Sequence, residues 1–101
     1  MSDLIILRAA GDTDVFRRFL ANADNVARLE EASARARSKG AIHHRFGIGD
    51  GEVFVVDEWE SAAAFQEFFS DPALQEMVTE MGVRGEPQIT VAEAVSTAGD
   101  F

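Results

Sequence analysis

Apolar positions along this chain change period several times, and the changes divide it into strands and helices. "LIILRAA" (Leu4 to Ala10) is a continuous apolar run closed by Gly11 and Asp12, as expected of a strand buried on both faces. Val15, Phe16, Phe19, Leu20 and Ala23 then recur at helical spacing, with Asp12 or Thr13 placed to cap the start and Lys39-Gly40 to stop it. An unbroken helix from Thr13 to Ser38 would be about 39 Å long against roughly 25 Å for the strands it must cross, so a break is expected. "NADN" (Asn22 to Asn25) is its expected place, because Asn and Asp side chains compete for backbone hydrogen bonds. Asp24 is then the expected cap of a second helix whose inner stripe is Val26, Leu29, Ala32 and Ala36.

"AIHHRFGI" and "EVFVVDEW" flank "GDGE", and an Asp50-Gly51 centre favours the tight turn whose twist matches two paired strands. Ser61 is placed to cap "AAAFQEFF", in which Phe65, Phe68 and Phe69 share one helical face. Asp71-Pro72 reads as a fresh cap followed by proline at the first helical position, and Leu74, Met77, Val78 and Met81 carry the inner face on to Gly82. "PQITVAEAV" (Pro87 to Val95) alternates as a last strand, and the polar tail 96–101 is expected to fray. The resulting βαββαβ order predicts one α+β domain over 1–101, an antiparallel sheet with helices on one face. Apolar residues occur on both faces of these strands, so a second sheet is expected to cover the open one, supplied by a second copy in a two-fold dimer.

Composition narrows the partners. The chain has 101 residues, enough for one compact domain, and no cysteine, so disulfides and thiolate chemistry are excluded. A net charge of -9 without a basic stripe repels phosphate backbones and anionic lipid, so neither nucleic acid nor a membrane is an expected partner. Residues 46–101 carry one basic side chain, Arg84, against twelve acidic ones, which reads as a differently solvated face or as an acidic docking surface. The N-terminus has an acid where a signal peptide needs basic residues, and its apolar run of about four residues is too short to span a bilayer; a cytoplasmic protein is expected.

Candidate chemistry sits on the hairpin. Pairing centred on Asp50-Gly51 sets His44 opposite Asp57 and His43 opposite Glu58. Ile42, His44, Phe46 and Ile48 then share a face with Val53, Val55, Asp57 and Trp59, while Ala41, His43, Arg45 and Gly47 share the other with Phe54, Val56 and Glu58. The two histidines point opposite ways and cannot chelate one metal from a single chain, so no metal is expected. His44 against Asp57, with Trp59 one pleat away, is either a polar pair satisfied for structure or a catalytic couple, with the carboxylate orienting the imidazole. Trp59, Phe46, Phe65, Phe68 and Phe69 are the candidate ligand-binding residues, the phenylalanines being either core or the roof of a pocket for a flat apolar ligand. His43, Arg45 and Glu58 are expected at the dimer interface, and Arg8 could join either face. "GIGDG" lies between strands with no helix to receive an anion, and Ser61 and Ser70 read as caps rather than nucleophiles.

With the element order and "VFVVDEWESAAAFQEFFSDP" in view, the chain resembles the dimeric α/β-barrel superfamily, in particular the antibiotic-biosynthesis-monooxygenase type. Glu58-Trp59 ending a strand, then Ser61, a helix and the Asp71-Pro72 step carry the resemblance, which is best from Gly40 to Val95. It implies a ferredoxin-like monomer, a homodimer with sheets face to face, and a pocket between sheet and helices. Quinone-forming oxygenases of this type pair a strand asparagine with the tryptophan, where this chain has Val55, so only the Trp59 position carries over. Haem-degrading relatives use a histidine of the second helical region, and "AAAFQEFFSDPALQEMVTEMG" has none, so no cofactor is expected. The resemblance implies a homodimeric binder of a small apolar or aromatic molecule, acting as a cofactor-independent monooxygenase on an aromatic or polyketide-like metabolite. A non-catalytic dimeric interaction domain is the alternative.

Overall fold

The computed structural model describes all 101 residues. Its elements are β1 (Asp3–Gly11), α1 (Thr13–Leu20), α2 (Ala23–Ser38), β2 (Ala41–Ile48), β3 (Glu52–Trp59), α3 (Ala62–Phe69), α4 (Pro72–Glu80) and β4 (Val83–Glu93). The four strands form one antiparallel sheet in the order β2-β3-β1-β4, the ferredoxin-like arrangement, with each crossover made of two helices.

Each helix begins at a capping side chain that satisfies free amides of the first turn. Asp12 accepts from the amides of Asp14 and Val15, Ser61 from Ala64, and Asp71 from Ala73 with Pro72 next in line. The first crossover breaks at the expected asparagine-rich step, but its cap is Asn22, not Asp24. Asn22 takes the extended backbone a cap needs and accepts from the Asn25 amide, which leaves Asp24 in the first turn, where its charge suits the helix dipole.

Three local expectations are corrected by strand pairing. The hairpin register holds from His43 to Ile48, yet Ala41 lies opposite Trp59, because Ile42 is an extra residue in a β-bulge. The bulge moves Ala41 out of the outer set and packs it with the buried Trp59 and Phe65 beneath the helices. At the turn only Gly51 takes a positive φ, +67°, whereas the two-residue hairpin turn favoured by Asp-Gly needs two such residues. The last strand starts at Val83 rather than Pro87, with its irregularity opposite Arg8–Ala10. Proline has no amide to donate, but at the edge of the sheet and beside a bulge it does not end the strand.

Ile5, Leu7 and Ala9 of β1 and Val53, Asp57 and Trp59 of β3 are buried against the helices, which contribute Phe16, Phe19, Ala32, Phe65, Leu74 and Met77. Alternation sends Leu4, Ile6 and Arg8, with Phe54, Val56 and Glu58, to the opposite face, where no layer of this chain lies. Ile6 and Val56 there are 38% and 50% exposed. Arg8 belongs to this open face, where it pairs with Gln88 and Glu52. No helix is long and apolar enough to cross a membrane. Residues 95–101 lie outside the sheet and are exposed.

Candidate functional site

A pleated strand returns every second side chain to the same face, so Asp57 and Trp59 of β3 point together toward the helices, and the hairpin register sets His44 beside them. The Asp57 carboxylate, 6% exposed, is held by two donors on separate oxygens. Trp59 Nε1 donates to Oδ2 at 3.0 Å, and His44 Nδ1 lies 2.6 Å from Oδ1. No buried side-chain polar atom in the protein lacks a partner, and the indole is satisfied only through this carboxylate. An ionised carboxylate can only accept, so the pairing puts the proton on Nδ1 of His44. Nε2 makes no hydrogen bond within the chain, and the His44 side chain is 40% exposed.

These residues stand on the wall of a cavity of about 410 Å³ between the sheet and the helices, 18 of whose 24 lining residues are hydrophobic. From α2 the cavity is lined by Leu29, Ala32, Ser33, Ala36 and Arg37, and the sheet contributes Phe46, Val55 and Trp59 among others. The three small residues among them leave room that larger side chains would fill. Aromatic rings stiffen the wall: Trp59 meets Phe65 edge-on at 5.7 Å and Phe68 in a tilted contact at 5.4 Å, and Phe65 stacks on Phe69 at 5.3 Å. His44 meets Phe46 edge-on at 4.6 Å, and Phe46 in turn meets Phe16 at 5.4 Å. Trp59 has only 1% of its surface exposed. The accessible wall is therefore formed by the half-buried Phe46, Phe68 and Phe69 and by His44.

His44, Asp57, Trp59, Phe46, Phe65, Phe68 and Phe69 all border this one cavity. His43, Arg45 and Glu58 do not join them as a cluster: they alternate to the open sheet face, where Glu58 accepts from the Ser2 hydroxyl at 2.5 Å. His43, next to the bulge, also touches the cavity rim. Sequence reasoning missed Ser33 and Arg37 of α2, which border both the cavity and a shallower groove that shares His44 and Phe46. Both are exposed and flank the inner stripe of Val26, Leu29, Ala32 and Ala36 rather than belonging to it, so the helical pattern gave no signal for them. Away from the cavity, the Val15 amide, through its hydrogen bond, holds the Asp12 carboxyl below its ordinary range. The hydrogen bond from Arg28 does the same for Glu80 and raises Arg28 in return.

No family model and no curated protein matches the chain. Solved structures do. SnoaB, a cofactor-independent oxygenase from Streptomyces nogalater, is similar over 98% of each chain with 14% identity and a TM-score of 0.63. A dimeric ferredoxin-like protein from an uncultured marine organism is 20% identical over 95% of this chain and 90% of its own, with a TM-score of 0.64. An antibiotic biosynthesis monooxygenase is 14% identical over 95% of this chain and all of its own, with a TM-score of 0.62. The fold is thus that of the antibiotic-biosynthesis-monooxygenase-like ferredoxin-like proteins, and at these identities the likeness is one of fold.

Proposed function

We propose that the protein is a homodimeric binder of a flat, apolar small molecule and that it oxidises this molecule, an aromatic or polyketide-like metabolite, with dioxygen and no cofactor. The observation that carries the reading is the Trp59–Asp57–His44 chain on the wall of the apolar cavity, which leaves His44 Nε2 without a partner inside the chain. Asp57 orients the imidazole, and Nε2 takes a proton from an acidified ring carbon of the substrate. The electron pair left behind reduces dioxygen at that carbon to a hydroperoxide, and loss of water leaves a carbonyl. One dioxygen thus converts a CH2 group to C=O and water. Phe46, Phe68 and Phe69 hold the ring system, and a dry cavity keeps the carbanion from solvent. SnoaB, similar in fold, is a cofactor-independent oxygenase, which supports the class of reaction.

Dimerisation belongs to the same proposal. The uncovered face carries Leu4, Ile6, Phe54 and Val56, and a structural neighbour is a dimeric ferredoxin-like protein. A second sheet packed there places His43, Arg45 and Glu58 at the interface.

The test is Trp59 emission and oxygen uptake with a panel of polycyclic phenols. Saturable emission changes are expected in the wild type, with His44→Ala lowering oxygen uptake about 100-fold or more while the ligand still binds. Turnover that survives His44→Ala would exclude the imidazole as base, and an emission unmoved by every phenol would remove the pocket. A second reading, a dimeric interaction domain without turnover, draws on the closed pairing of Asp57, whose two oxygens satisfy the only buried indole and one imidazole. It expects His44→Ala to lower stability and change nothing else.

A further inference from the structure

Arg37 stands in the last turn of α2 and borders both the cavity and the groove outside it, with Ser33 one turn earlier and His44 facing the same spaces from β2. Of the three arginines on α2, Arg28 pairs with Glu80 and Arg35 with Glu31, but Arg37 has no ion pair and no side-chain hydrogen bond. The one carboxylate that lines the cavity, Asp57, is already taken by Trp59 and His44. Glu30 borders the groove only. The rim of an otherwise apolar space therefore carries one uncommitted cation, in a chain whose net charge is -9.

Arg37 is exposed, so a wholly apolar ligand in the cavity would leave the guanidinium in water and gain no affinity from it. A carboxylate would gain it, because the planar guanidinium fork matches its two oxygens. We infer that the ligand is an amphipathic carboxylate, its ring system in the cavity and its acid group on Arg37 at the rim, with the Ser33 hydroxyl within the same rim. This rests on the proposed pocket and deepens it: Arg37 sets which apolar molecules are accepted and which end of them faces out. A cation in the last turn also suits the helix dipole. That role alone expects Arg37→Gln to change stability and not ligand preference.

The test uses the full chain and two probes of one ring system, anthracene-9-carboxylate and 9-(hydroxymethyl)anthracene, titrated against Trp59 emission. The wild type is expected to bind the acid about tenfold more tightly than the alcohol, the modest end for a charge-assisted pair at a wet rim. Arg37→Gln is expected to abolish that preference by weakening the acid alone, and Arg37→Lys to keep part of it, having charge without the fork. An acid bound no more tightly than the alcohol, or a preference intact in Arg37→Gln, overturns the inference while the pocket stands. If neither probe binds, the pocket and the inference fall together.

Discussion

Replacing Asp57 with alanine removes the one acceptor on which two neighbours depend, and the two are affected unequally. Trp59 is 1% exposed and its Nε1 has no other acceptor, so the variant leaves a buried donor unpaired, at about 1–3 kcal/mol. His44 is 40% exposed at its side chain, so water takes the place of the carboxylate and the lost bond adds roughly 1 kcal/mol at most. Losing the carboxylate also leaves a small gap, while relief from holding a charge out of water acts the other way. The net expectation is destabilisation of about 2–3 kcal/mol. In urea unfolding at neutral pH, followed by Trp59 emission, a slope of roughly 1.5 kcal/mol per molar turns this into a midpoint lowered by about 1.3–2 M. His44→Ala should cost about 1 kcal/mol or less, since one side of its ring already meets solvent. An Asp57→Ala stability within about 0.5 kcal/mol of wild type, or a His44→Ala cost equal to that of Asp57→Ala, would refute the assignment of the cost to the stranded indole.

Three further expectations follow from other parts of the fold. Gly82 has φ +96°, and a Cβ there would come within 2.7 Å of the Asp12 carbonyl oxygen, so Gly82→Ala should lose at least about 2 kcal/mol, a melting temperature lower by roughly 10 °C; an unchanged melting curve would deny the close approach. Asp12 and Glu80 have carboxyls held below their unfolded values, so each adds stability that is complete above the ordinary carboxylate range of roughly 4 and is lost as pH falls through the lower folded value. Asp12→Asn with Glu80→Gln should therefore flatten the acid limb of the stability–pH curve, and an identical slope would contradict the assignment. Val56→Asp, on the uncovered sheet face, should turn a dimer into a monomer in sedimentation equilibrium, whereas a wild type that sediments as a monomer would end the case for a covering partner.

Much of the candidate site's geometry was legible in the sequence because it is local. A pleat of period two and a turn centred on Asp50-Gly51 suffice to bring His44 beside Asp57 and Trp59, and the bulge at Ile42 leaves that part of the register untouched. Caps at Asp12, Ser61 and Asp71 are equally local, each depending on amides two or three residues away. Where short-range rules competed, the reading slipped. Asn22 and Asp24 are both good caps, and the choice between them depends on where α2 must start to run along the sheet. Pro87 looked like a strand boundary because its tolerance requires knowing that β4 is an edge strand.

What the chain determines by itself is the succession of elements, the hairpin register and the inward direction of the aromatic and polar side chains, all set by interactions over a few residues. Tertiary structure alone decided that Ala32, Ser33 and Ala36 would line one cavity with Phe46, Val55 and Trp59. It also decided that Arg37 would reach the rim of that cavity with no acid to meet it. Both depend on how α2 is rotated and seated on the sheet, a packing outcome summed over residues distant in sequence, which no local pattern encodes.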